Sequence, residues 1–141
     1  MGKIYEFRTT VTIADTNLFA NMYFLNFFKI QGICRELWVR DSVQDVEESL
    51  KQGLRLTTRS AEMKFLKDFY LYDKVLVHMQ VSRLEITYAD LRFHFLEKNT
   101  MELRAKGHQR IVFAGPDHKV CRMPDNFRKA ALEYLDTESQ T

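Results

Sequence analysis

Apolar and polar positions alternate with period two in five stretches of the chain. Residues 4–13 set Tyr5, Phe7, Val11 and Ile13 against Glu6, Arg8, Thr10 and Thr12, the pattern of a half-buried strand. Residues 54–66 carry Leu54, Leu56, Met63 and Phe65 around a Thr pair, and residues 74–86 set Val75, Val77, Met79 and Val81 against Leu76, His78, Gln80 and Ser82. Residues 88–97 place Leu91, Phe93 and Phe95 opposite Arg92, His94 and Leu96. Residues 101–113 place Leu103, Ala105, Gly107, Gln109, Ile111 and Phe113 opposite Arg104, Lys106, His108 and Arg110. Lys98-Asn99-Thr100 turns the chain between the last two runs, and Gly115-Pro116-Asp117 ends the final one.

Two segments break this rhythm. From Met22 to Arg40 the chain is apolar on nearly every side, which predicts a buried helix. Gly32 lies inside it at a cost of about 1 kcal/mol relative to Ala, and the expected reason is close approach of the helix to a sheet. Residues 43–52 predict a short polar helix. Pro124-Asp125-Asn126 reads as a helix start, with an amphipathic C-terminal helix over Phe127 to Leu135. One long helix, about five antiparallel strands and a C-terminal helix make an α+β fold, with the sheet wrapped around the long helix.

The 141 residues read as one domain, 1–141. With 45% hydrophobic residues, 28% charged residues and a net charge of +2, the chain is neither disordered nor a strongly basic nucleic-acid binder. Eleven Phe, six Tyr and one Trp make an aromatic surplus, whose use is the open question. Two distant cysteines, Cys34 and Cys121, without a CxxC pair, suggest a reducing cytoplasm. No apolar run approaches a membrane span, and the first residues lack the apolar core of a leader. Glu6 stands where a myristoylation signal needs Ser or Thr.

Common catalytic signatures are missing: there is no dinucleotide-binding GxGxxG, no Walker loop and no GxSxG elbow. The four histidines have no metal-ligand spacing, and neither metal nor cofactor is implied. Cys34, mid-helix among apolar residues, reads as packing. Phe93-His94-Phe95 has no basic cluster beside it and reads as core or dimer surface. The segment Asp15 to Glu36 carries more chemistry. It sets a turn-forming run, with Asn17, against the N-terminus of the long helix, where unpaired N–H groups can stabilise an oxyanion. Asn17 is open to a simpler role as helix cap or turn former. Arg35, within the apolar run, needs a partner if buried, and Glu36 or Glu62 could be that partner.

Asp15-Thr16-Asn17-Leu18, Asn21, Tyr23 and Asn26-Phe27, with the run to Arg35, resemble the opening of hotdog-fold thioesterases of the 4-hydroxybenzoyl-CoA type. Strand order and length extend the resemblance over nearly the whole chain. Gln31-Gly32-x-Cys34-Arg35-Glu36-Leu37 and Ala105-x-Gly107-x-Gln109 resemble a narrower branch, the discrete thioesterases that accompany enediyne polyketide synthases, and similar enzymes of polyunsaturated fatty-acid synthases. The resemblance implies hydrolysis of a long acyl or polyene thioester on coenzyme A or an acyl carrier protein. It also implies a homodimer or homotetramer with sites at the dimer interface. Rich Phe and Lys with modest Ala tilts the pathway toward polyunsaturated fatty-acid or related synthases.

The general family has a catalytic Asp where this chain has Asn17. Some members add a His where Phe24 stands, and many carry a Glu where Gly32 stands. The enediyne branch shares the Asn and the Arg, so base-free chemistry is the fitting template. The resemblance then implies that the Phe24 backbone N–H binds the carbonyl, Asn17 orients water or thioester, and Arg35 supplies positive charge. Tyr23, Phe27 and Glu36 are expected to bind substrate, and part of the aromatic surplus is expected to line an acyl tunnel. General acyl-CoA hydrolysis and non-catalytic binding of an acyl chain or carrier protein are the alternatives.

Overall fold

The computed structural model describes residues 2–136. Five strands, β1 (Tyr5–Thr10), β2 (Arg55–Phe65), β3 (Lys74–Leu84), β4 (Tyr88–Glu97) and β5 (Leu103–Ala114), form one sheet in the order β1-β3-β4-β5-β2. Every neighbouring pair is antiparallel. The helices are α1 (Phe24–Ser42), α2 (Val46–Lys51) and α3 (Asp125–Glu133). All five expected strands and all three expected helices are present, with ends moved by a few residues. The first strand stops at Thr10 because Ile13–Asp15 winds into a 3₁₀ turn. There the Asp15 carboxylate accepts the Thr12 N–H at 2.8 Å and its hydroxyl at 3.0 Å. The long helix begins at Phe24 because Met22 is already spent on strand-like pairing, opposite Thr16 and with its N–H on Phe69 O at 2.7 Å.

The odd-numbered positions of β4 and β5 face α1, and the core sits between. Phe93, Phe95 and Ala105 are fully buried, as are Val75, Val77 and Met79 on β3. Phe27 of α1 joins the aromatic cluster, with ring centroids 5.0 Å from Phe65, 5.9 Å from Phe69 and 5.6 Å from Phe95. The other end of the core is closed by α3, where Phe127 meets Phe113 at 5.2 Å. Past α3, Leu135 runs beside Val81, and Asp136 pairs with Arg92 at 3.0 Å.

Two expectations need correction. In the single chain α1 is not buried on nearly all sides: Phe27, Ile30, Gln31, Cys34 and Trp38 form one buried stripe, while Phe24 and Leu25 are about half exposed. One five-stranded sheet covers one side of a helix, so among the described residues Phe28, Ile33, Leu37 and Val39 are only partly covered and Phe24 and Leu25 stay exposed. Nor is Gly32 the point of close approach, since a Cβ there would meet nothing within 4 Å. That role falls to Gly107 of β5, where a Cβ would collide with the Gln31 carboxamide and press on Met63 of β2.

The segment from β2 to β3, residues 66–73, carries the chain from the sheet's outer edge to its far side. Leu66 and Lys67 donate to Arg104 O at 2.9 and 3.0 Å. The Arg104 guanidinium bonds Asp68 O and the Asp73 carboxylate, both at 3.0 Å, and lies over the buried Phe69 ring. No helix among the described residues is long and apolar enough to cross a membrane.

Candidate active site

The start of α1 is fastened to the loop before it. Asp15 O accepts the Tyr23 N–H at 2.9 Å and the Asn26 side-chain amide at 2.7 Å. Between these anchors residues 16–22 make a tight reversal: Thr16 pairs with Met22, and the Asn17 N–H reaches Asn21 O at 3.0 Å. Ala20 takes a left-handed conformation, φ 65°, unusual for a residue with a Cβ, and its carbonyl accepts Leu71 N–H at 3.0 Å.

Asn17 is exposed, and its Oδ1 accepts the Phe19 N–H at 2.9 Å. It shapes the loop and does not cap α1. Its Nδ2 has no protein acceptor among the described residues. Tyr23 occupies the N-cap position without a side-chain cap bond. The Phe24 and Leu25 N–H groups therefore point out of a nineteen-residue helix with no acceptor among the described residues, at the positive end of its dipole. Around them lies exposed apolar surface: Leu18 is 91% and Phe19 78% exposed, and Tyr23, Phe24, Phe65 and Tyr70 are each about half exposed. Tyr23 and Phe24 meet tilted, with ring centroids 4.9 Å apart, and Phe24 meets Phe65 edge-on at 6.4 Å.

Arg35 lies eleven residues further along α1, about 16 Å down the axis at 1.5 Å per residue. Its Nη1 donates to Thr58 Oγ1 at 2.6 Å and to the buried Gln109 Oε1 at 3.1 Å. No carboxylate among the described residues is within ion-pair distance, so the salt-bridge reading fails for both Glu36 and Glu62. Glu36 points to solvent and only partly offsets the burial that lowers the Arg35 pKa. Glu62 lies across from His108 on β2, on the sheet face away from α1. A partly buried cation held by neutral oxygens keeps charge available for a ligand.

One end of α1 thus brings together Asn17, Tyr23 and Phe24. Phe27 is core, 2% exposed, and does not line an open surface in the single chain. Phe93 and Phe95 are likewise core. Thr58, Gln109 and Gln31 complete the polar seam between α1 and the sheet. Sequence reasoning missed Thr58, a β-branched residue like any other in a strand. Gln31 and Gln109 stood inside recognised motifs without a stated role. Burial pushes the Cys34 thiol up to about 12, so it is no thiolate nucleophile. A cavity of about 860 Å³ opens on the opposite sheet face, lined by Lys64, Arg92, His94 and Lys106 among others. It lies away from Asn17 and Arg35, and Arg110 on that face is taken by Asp90 at 2.7 and 3.0 Å.

A long helix packed along one antiparallel sheet in the order β1-β3-β4-β5-β2 is a hotdog fold, and the relatives that share it with this chain are thioesterases. The match to the family model "Thioesterase-like superfamily" spans residues 11–131, and the chain belongs to that family. It is 27% identical over 128 residues to the 1,4-dihydroxy-2-naphthoyl-CoA hydrolase of Thermosynechococcus vestitus, covering 87% of this chain and 80% of the relative. Among solved structures, the dynemicin thioesterase, described in connection with polyene binding, superposes with a TM-score of 0.87 at 27% identity, over 95% of this chain and 99% of that one. A Staphylococcus aureus protein solved in complex with CoA gives a TM-score of 0.89 at 12% identity, over 100% and 91% of the two chains, a likeness of fold.

Proposed function

We propose that this protein hydrolyses long-chain acyl or polyene thioesters, carried on coenzyme A or an acyl carrier protein, in fatty-acid or polyketide biosynthesis. The observation that carries the reading is the pair of unpaired N–H groups at Phe24 and Leu25, set in exposed apolar surface. The thioester carbonyl accepts hydrogen bonds there, and negative charge on its oxygen grows as water attacks. Water adds to the carbonyl carbon, the C–S bond breaks, and the sulfur leaves as thiolate. The water's protons pass to the thiolate and to solvent, leaving a carboxylate and a free thiol. Asn17 orients the water through its free Nδ2, its Oδ1 being held by the Phe19 N–H. It cannot take a proton at neutral pH, and Asp15 in the same loop is bonded to Thr12. Without a general base the rate forgoes a factor on the order of 10²–10⁴, while each oxyanion donor contributes about 2.7–4 kcal/mol.

Asn17 sits in the loop before α1 and Arg35 about three turns down that helix, so the reading requires a second copy of the chain, in a homodimer or homotetramer. The uncovered apolar positions of α1 and the outer edge of β2, eleven residues long, support it. A thiol-release assay over acyl-CoA and acyl-carrier-protein chains of increasing length tests the function. Repeated turnover on long chains is expected, with at least a tenfold loss in Arg35→Ala and a sharp change in Asn17→Asp. Stoichiometric protection of a palmitoyl thioester without turnover would instead identify a non-catalytic acyl binder. That alternative is favoured by the absence of a free carboxylate or imidazole at the described start of α1.

A further inference from the structure

Gln31 is fully buried, yet neither end of its carboxamide has a hydrogen-bond partner among the described residues. Buried amides are rarely left so, because an unmade hydrogen bond costs the full desolvation of the group. The chain makes a specific accommodation for this one. The amide rests on Gly107, where any Cβ would collide with it, and Gly107 sits mid-strand, between Phe93 of β4 and Met63 of β2. Gln31 is one helical turn before Arg35, and Gly107 is two residues before Gln109, which accepts from Arg35. The two pairs form one polar strip in the seam between α1 and β5, within otherwise apolar packing.

Leucine at position 31 would fill similar space without stranding a polar group. What the amide adds is a donor and an acceptor, set beside a guanidinium whose own bonds go to neutral oxygens. An all-carbon acyl chain in this seam satisfies neither. A chain bearing a hydroxyl or keto oxygen satisfies the amide, and a site with a buried polar group waiting for an oxygen discriminates strongly against the analogue lacking it. The terminal methyl of Met63 lies 3.3 Å from where a Cβ on Gly107 would stand, over the same glycine as the amide, and its flexible thioether can turn aside to admit a chain. Gly32, next in sequence, leaves open space at the same level of the helix.

We propose that the Gln31 carboxamide, with Arg35 one turn on, is a specificity element that reads an oxygen substituent along the acyl chain, so that oxygenated acyl thioesters are the favoured substrate class. This rests on the reading of the protein as an acyl-thioester hydrolase. The experiment compares dodecanoyl-CoA with its hydroxylated positional isomers, for the wild type, Gln31→Leu and Gln31→Met, with a thermal melt for each. The wild type prefers at least one isomer by about tenfold or more in kcat/KM. Both variants lose that preference, keep the rate on the plain chain within about twofold, and melt no lower than the wild type. Equal rates on plain and hydroxylated chains in the wild type would overturn the proposal, as would a preference that survives in a folded variant. If the wild type releases no thiol from any chain, the hydrolase reading fails separately. Calorimetric binding of non-hydrolysable acyl-CoA thioethers, plain and hydroxylated, then decides on Gln31 alone: a preference lost in Gln31→Leu supports it, and no preference overturns it.

Discussion

His94 of β4 lies in a cross-strand row on the sheet face away from α1, between His78 on one side and Lys106 on the other. Burial lowers its pKa, and the charges of Arg92, Lys106 and His78 push the same way. In the unfolded chain a histidine titrates near about 6.5. Below that pH the unfolded state therefore takes the proton more readily than the folded one, and stability is lost as pH falls. The urea midpoint is expected to drop between about pH 7.5 and about pH 5.5, and His94→Gln to flatten part of that slope. A slope unchanged by the substitution would place the pH dependence elsewhere. Residue roles divided cleanly by what a sequence can carry. Asn17 and Arg35 were visible as polar residues in an apolar, motif-bearing segment. The partners of Arg35 were not, because Thr58 and Gln109 come from β2 and β5, and nothing local in either strand marks them as neighbours of a helix position.

The elements were the most legible level, because a half-buried strand must alternate and this chain alternates five times. Their order across the sheet was hidden. The run from β3 to β5 pairs as hairpins, but β2 joins β5 and β1 joins β3 through contacts between distant segments. The facing of the glycines was hidden as well, since periodicity does not say which residue of α1 meets which residue of the sheet. Gly32→Ala is expected to stabilise the chain by about 1 kcal/mol, because the new methyl meets open space and the helix gains propensity. Gly107→Ala is expected to cost about 1–3 kcal/mol by overpacking against the Gln31 amide, and Gln31→Ala in the same chain to recover part of it. Denaturant melts of the three variants check both signs, and a stabilising Gly107→Ala would contradict the close approach.

At the scale of the whole molecule, the apolar side of α1 misled the sequence reading because an apolar face left exposed in the single chain has the same composition as a core. If sites form between two copies, Asn17→Ala and Arg35→Ala chains fail in different halves of the same site. Mixing and exchanging the two inactive proteins then regenerates one intact site per mixed dimer, with about a quarter of the wild-type thiol-release rate after random exchange. No recovery after confirmed exchange would assign both residues to one chain. The crossover from β2 to β3 has a further consequence. Its backbone is laced to the loop that holds Asn17: Met22 N–H to Phe69 O, Leu71 N–H to Ala20 O, and Tyr72 N–H to Val11 O, at 2.7, 3.0 and 2.8 Å. The segment after the outermost strand and the loop that carries Asn17 are thus stitched into one mechanical unit that must loosen together. Amide deuterium uptake at Met22, Leu71 and Tyr72 is expected to follow one common rate. Asp73→Ala, which removes the acceptor for Tyr70 N–H and Arg104, should quicken all three together, so that wear at the seam of the sheet is felt at the mouth of the site.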